Sequence, residues 1–291
     1  MKTTYLIKRS LQLDLQFLFT TKLPLKAYKR LYITILKYFQ ITRDLLIKSK
    51  KLKSVRILGQ KYYYDNLFAI GFIQSYFVDD SFLIDIIPKK SVIVDVGANI
   101  GQSNIFYYKF LKAKKVYSFE PIPDAYRALV KNSPKPKYCY NFAISKKEKM
   151  DIYMAAYSVG ASSIKDGRLA KRIIKAKTKR LDEIPSIKKE RRIGLLKIDV
   201  QGGEMDVVKA SLETIKKTDF LLIEVGLSNE SQNNLRELLN LVGDDFRIIK
   251  VPKINEFHQS IFSWQLDILF INKAILKDFT KKHKNSQFST F

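Results

Sequence analysis

The stretch VIVDVGANIG, Val92–Gly101, decides how this chain is read. A short apolar run, the pattern of a buried strand, delivers Asp95; Gly97 and Gly101 then bracket a tight turn that opens a helix. Ligands of open α/β sheets bind at the carboxyl ends of strands, where such turns lie. A nicotinamide loop would carry G-x-G-x-x-G, leaving room for a pyrophosphate at the helix N-terminus. Here the spacing is G-x-x-x-G, with Asn99 in place of a middle glycine. Asp95 would repel a pyrophosphate but suits a cationic ligand bearing an amino acid.

Outward from this loop, short apolar runs recur at Val92–Val96, Val116–Phe119, Tyr138–Ala143, Leu195–Ile198 and Phe220–Val225. Helical stretches at Gly101–Leu111, Pro123–Asn132 and Glu204–Leu212 separate most of them. The alternation predicts an α/β fold, a doubly wound sheet that is mainly parallel and covered on both faces. After a helix at Asn229–Leu241, strands Phe246–Val251 and Leu266–Ile271 follow without a crossover helix. They should therefore close the sheet as an antiparallel hairpin.

Two further strand ends carry acids. Glu120 closes VYSFEP (Val116–Pro121) and can accept both hydroxyls of a ribose; a surface glutamate is the alternative. LLKIDVQGGE (Leu195–Glu204) places Asp199 at the ligand crevice and Glu204 in the first turn of a helix, where plain capping is its alternative role. Asp95 and Glu120 together indicate a nucleoside without selecting a methyl donor.

The net charge of +25 favours an anionic partner, such as nucleic acid, an acidic membrane or a phosphorylated carrier, unless it only solvates a lysine-rich protein. Residues 1–56 hold fourteen Lys/Arg against Asp14 and Asp44, a net +12. Within them Leu25, Tyr28, Leu31, Tyr32, Ile35, Phe39 and Leu46 recur at helical spacing. Packing of this stripe on the core or on another subunit is expected, and docking on an anionic membrane is the alternative. A second helix is predicted over Tyr64–Phe82, and a solvent-facing basic helix or loop over Lys165–Arg180. The single Cys139 excludes an internal disulfide and reads as a small buried thiol. With only His258 and His283 and no Cys/His cluster, no metal site is expected. The charged N-terminus carries no apolar run of signal or membrane-span length, which predicts a cytoplasmic protein, with the inner membrane face as a peripheral location.

The three acid-bearing segments, in this order, resemble the FkbM family of S-adenosylmethionine-dependent methyltransferases. EPIPDAYRALVKN (Glu120–Asn132), NFAIS (Asn141–Ser145), FLLIEVG (Phe220–Gly226) and DILFI (Asp267–Ile271) extend the resemblance over Val92 to Ile271. It implies a class I methyltransferase domain at 88–276, preceded by a basic, mainly helical extension at 1–87 and followed by a basic tail at 277–291. It further implies S-adenosylmethionine as cofactor and methylation of a hydroxyl on a sugar, glycan or secondary metabolite.

By position, Asp95, Gly97, Asn99 and Gly101 would surround the methionine part of the cofactor. Glu120, followed by Pro121, would hold ribose, and Asn141–Ala143 would border adenine. Asp199 would lie beside the methyl donor. The family's usual I-D-V-E-G-x-E reads I-D-V-Q-G-G-E here, so Gln201 replaces a position that is often acidic. Gln201, Glu204 and Glu224 are the candidate substrate contacts, and Asp199 and His258 the candidate bases; a magnesium site through Asp199 and Glu224 is an alternative. Nucleic acid is the less favoured acceptor, because Asp199-Val-Gln-Gly lacks the proline pair of base-amino methyltransferases. A non-catalytic, membrane-docked scaffold of the same fold is the rival from another class.

Overall fold

The computed structural model describes residues 2–19, 23–47, 52–64, 69–70, 73–154, 172–226, 235–255 and 265–283. Two helices, α1 (Lys2–Phe19) and α2 (Ala27–Leu46), precede a hairpin of β1 (Lys53–Ile57) and β2 (Gln60–Tyr64). Short helices α3 (Ile73–Val78) and α4 (Leu83–Ile86) lead into the alternating region. That region runs β3 (Val92–Val96), α5 (Gln102–Lys109), β4 (Lys115–Phe119), α6 (Pro123–Asn132), β5 (Cys139–Tyr140) and β6 (Ala143–Ile144). It continues through β7 (Lys149–Met154), β8 (Arg172–Lys179), α7 (Pro185–Lys188), β9 (Ile193–Ile198), α8 (Glu204–Lys209) and α9 (Leu212–Lys216). The chain then forms β10 (Thr218–Gly226), α10 (Leu235–Val242), β11 (Phe246–Asn255), β12 (Gln265–Asn272) and α11 (Lys273–Lys282), so this last helix runs through residue 276.

Seven strands make the central sheet in the order β11-β12-β10-β9-β3-β4-β5. The pairs from β10 to β5 are parallel, and β12 pairs antiparallel with both β10 and β11, as the crossover pattern predicts. Successive side chains of a strand point to opposite faces, and the burial follows this period. Ile93, Leu195, Phe220, Leu222 and Leu269 pack under the N-terminal elements and α5. Val94, Val96, Leu196, Ile198, Leu221 and Ile223 pack under α8, α9 and α10 on the other face. Cys139 is a free, buried thiol, and burial raises its pKa.

Four expectations are corrected. The stripe Tyr28, Leu31, Tyr32, Ile35, Phe39 and Leu46 does not pack on the core; each of these side chains is more than half exposed. The opposite face of α2 is buried instead, with Ile33, Thr34, Lys37, Gln40 and Asp44. Lys37 can be buried because α1 supplies its partner: Nζ lies 2.7 Å from Asp14 Oδ1 and donates to Ser10 Oγ at 2.7 Å, while Tyr38 OH donates to Asp14 at 2.6 Å. The Tyr64–Phe82 stretch is not one helix. It begins at the end of the β1–β2 hairpin and holds α3, while residues 65–68 and 71–72 lie outside the described part.

The described part of Lys165–Arg180 holds a strand, Arg172–Lys179, where a helix or loop is expected; residues 165–171 lie outside the described part. Over β8 the lysines alternate outward with half-buried Ile174 and buried Ala176, a period of two. β7 and β6 flank it in a three-stranded sheet that the sequence reading did not resolve. The run Tyr138–Ala143 is likewise divided, β5 joining the central sheet and β6 the smaller one.

Asn132 couples the N-terminal hairpin to the core. Its amide donates to Tyr63 O at 2.8 Å and Ile100 O at 2.6 Å, and its Oδ1 accepts from Tyr63 N at 2.6 Å. Asn132→Ala leaves the buried Ile100 carbonyl and both backbone groups of half-buried Tyr63 without these partners, and about 3 kcal/mol of stability should be lost. Urea denaturation with an unchanged midpoint would remove this link.

Candidate active site

The cleft opens at the carboxyl ends of β3, β4 and β9 and is lined by the loops that follow them. The β3 loop is built by close backbone approach. Gly97 has φ +90°, and a Cβ there would lie 1.8 Å from the carbonyl oxygen of Asp199. Asp199 N in turn donates to Val96 O at 3.0 Å, so the two loops are clamped together. Gly101, φ +87°, sits where α5 begins, and a Cβ there would meet Leu129 at 2.9 Å. It shapes the loop rather than lining the cleft.

Asn99 holds a left-handed conformation, φ +49°, and its backbone N donates to Glu120 Oε2 at 2.8 Å. Its side chain faces the cleft, and Oδ1 is buried without a hydrogen-bond partner. Glu120 also accepts from Ile122 N at 2.8 Å, so it ties the β3 and β4 loops together at the cleft wall. Burial pushes its pKa up to about 7 against the pull of the two backbone donors. Pro121 and Ala143 line the cleft as expected. Asn141 does not; its amide donates to Glu120 O at 2.9 Å and Pro121 O at 3.1 Å and so secures the turn after β4.

Asp95 lies beneath the cleft floor instead of at its surface. It is completely buried, and neither carboxyl oxygen has a hydrogen-bond partner. In the parallel register it stands opposite Lys197 of β9. Burial pushes the Asp95 pKa up to about 6, opposed by the Lys197 charge and helped by Asp199. Lys197 lines the cleft and donates to Asp199 Oδ2 at 2.8 Å. The charges of Asp199, Asp95 and Asp80 outweigh its burial and hold the ammonium charged. Asp95 therefore does not reach the cleft surface. Asp80, from the segment before the alternating region, bears on the same group.

After β9, Gln201 Nε2 donates both to Asp199 Oδ1 at 3.0 Å and to Glu224 Oε2 at 2.8 Å. Gln201 adopts φ +57°, an unfavourable left-handed conformation that aims the amide between the two acids. Burial, with the charges of Asp199, Glu204 and Asp267, raises the Glu224 pKa well above the usual range. Glu224 reaches the cleft only through Gln201. Glu204 does not line the cleft: fully buried, it accepts from Gly202 N at 3.0 Å and Val200 N at 3.1 Å and so ties together the loop that precedes its helix. Burial pushes its pKa up to about 7. His258 lies outside the described residues.

Sequence reasoning missed Lys197, although a lone charge inside the run LLKI signals a buried partner. It also missed Met150 and Ile152, which enter the cleft from the unpredicted strand β7; Phe142, within the Asn141–Ala143 segment expected at adenine, lines the cleft beside Phe119 at a ring distance of 5.5 Å.

The model of the methyltransferase FkbM domain matches residues 95–258, more than half of the chain. The chain belongs to this family. S-adenosylmethionine is the cofactor, and the residues fit it: an acid field under the floor, an unpartnered Asn99 Oδ1, and a glycine turn too tight for any Cβ. Among curated family-like proteins, the methyltransferase sdnD of Sordaria araneosa is 26% identical over 168 residues, covering 46% of this chain and 65% of the relative. The AMB antimetabolite synthetase AmbE of Pseudomonas aeruginosa is 27% identical over 177 residues, covering 46% of this chain and 8% of that protein. The matched part thus spans less than two thirds of either relative. Solved structures include M. jannaschii TYW2 in complex with AdoMet, at 14% identity, TM-score 0.44 and coverage of 77% of this chain and 88% of that one. A TehB-like methyltransferase from Corynebacterium glutamicum matches at 12% identity and TM-score 0.39, over 67% and 87% of the two chains.

Asp95 makes a testable trade between stability and binding. Its pKa is about 6 in the folded chain against an ordinary value of 3.8. The folded state then holds more protons than the unfolded one, so stability falls as pH rises through that window. Asp95→Asn removes a cost of about 3 kcal/mol above it. The variant should melt roughly 5 °C higher than the parent at about pH 8 and show no such gain at about pH 4. Its affinity for the cationic methyl donor should drop by about 10-fold through the lost field. Thermal melts at both pH values and calorimetric titration check this; unchanged affinity rejects the field role.

Proposed function

We propose that this chain transfers a methyl group from S-adenosylmethionine to a hydroxyl oxygen of a sugar, glycan or small metabolite. The bound cofactor supplies an electrophilic methyl carbon. The chain's own task is to place the acceptor oxygen in line with that carbon, exclude water and receive the hydroxyl proton. The observation that carries the oxygen-acceptor reading is the Asp199–Gln201–Glu224 group, a cleft-lining carboxylate backed by a bridging amide and a buried acid. Lys197 and Gln201 fix the Asp199 rotamer, and Asp199 accepts the proton from the incoming hydroxyl. His258 is the second base we propose. Of the two curated relatives, one is by name a methyltransferase and the other an antimetabolite synthetase.

The test is incubation of the full chain with radiolabelled methyl donor and fractionated cell extract. Label is expected in the glycan or small-molecule fraction. Label confined to RNA would replace the acceptor class. Donor binding without label in any fraction would favour a non-catalytic scaffold.

A further inference from the structure

We propose that the outward face of α1 and α2 is a docking surface for an anionic phospholipid bilayer. This inference does not rest on the proposed reaction. Most of the exposed large apolar side chains among the described residues fall between Leu11 and Ile47. On α2 they form one stripe at Tyr28, Tyr32, Ile35, Phe39 and Leu46, and on α1 a second at Leu11, Leu15 and Phe19. An apolar face of this extent on a soluble surface marks an interaction site. The helices cannot turn it inward, because α2 is held by its opposite face through Lys37–Asp14, Tyr64 OH to Gln40 at 3.4 Å and Lys53–Asp44 at 3.2 Å.

Charge selects the occupant. Residues 1–56 carry a net +12, and both acids of the segment, Asp14 and Asp44, are engaged in those internal ion pairs. A second copy on the same face would bring two +12 segments together, whereas anionic headgroups neutralise them. Lys8, Lys26 and Lys29 are exposed on the same two helices or at their ends, and Tyr28 and Tyr32 have the mixed apolar and polar character favoured at the headgroup level. No helix among the described residues is long and apolar enough to cross a membrane, so the pair would lie in the interface plane.

The full chain is sedimented with phosphatidylcholine vesicles with and without phosphatidylglycerol, alongside the double variant Ile35→Glu/Phe39→Glu. Its fold is checked by melting and donor binding, which the exposed positions should leave unchanged. The parent should bind the anionic vesicles at least about 10-fold more tightly than neutral ones. The variant should lose about 100-fold or more in affinity, from two large apolar side chains and two added charges. Equal binding of parent and variant, equal binding to both vesicles, or no binding by the parent overturns the proposal. So does a parent dimer in light scattering that the variant dissociates while vesicle binding is absent, since a second copy would then be the occupant.

Discussion

Gly97→Ala should give a protein that melts about 10 °C or more below the parent and shows no measurable heat on titration with the methyl donor. An added Cβ would lie 1.8 Å from the Asp199 carbonyl oxygen and 2.7 Å from its carbon. Backbone cannot swing aside as a flexible side chain can, and Asp199 N is bound to Val96 O at 3.0 Å. The clash must separate the ends of β3 and β9, and the cleft floor is made of those ends. Gly59→Ala is the matched control, since Gly59 also has positive φ, +82°, but nothing lies within 4 Å of its added Cβ. That variant should lose only about 1 kcal/mol, the cost of the left-handed conformation alone. If both variants melt alike, backbone strain and not the clamp between the loops explains the glycine.

Asp199→Asn should reduce turnover by about 10²–10⁴-fold, the range expected when a general base is removed, with donor affinity changed by less than about 10-fold. The asparagine keeps the shape of the side chain but offers one accepting oxygen where Lys197 Nζ, 2.8 Å from Oδ2, and Gln201 Nε2, 3.0 Å from Oδ1, now use two. The capacity to take a proton is lost together with the Lys197 ion pair and one of the two accepted hydrogen bonds. Single-turnover kinetics with an identified acceptor, set beside donor titration, separate the two effects. Equal losses in affinity and turnover would make Asp199 a binding residue. Normal turnover would pass the proton to His258.

Much of the fold was legible because local pattern and global architecture agree. Short apolar runs alternating with helical stretches led directly to the parallel sheet, and the missing crossover after Phe246 led to its antiparallel close. The glycine positions were readable for the same reason: Gly97 and Gly101 follow a strand and precede a helix, where positive φ is needed. Residue roles within the site were less legible. Asn141 and Glu204 carry side chains suited to a ligand, yet each satisfies backbone groups of its own loop. A sequence shows that such a group is polar, not whether a nearby N–H or C=O has already claimed it.

The sequence alone determined the alternating fold, the loop at Val92–Gly101, the acids at the ends of three strands and the family. Each of these depends on the order and spacing of residues along one element. Only the tertiary structure decided that Asp95 lies under the cleft floor opposite Lys197, because that pairing depends on the register between β3 and β9. It also decided that α2 turns its lysine inward and its tyrosines outward. Helical periodicity says which residues share a face; it cannot say which face meets the protein, and here Asp14 on another helix made the polar one buriable.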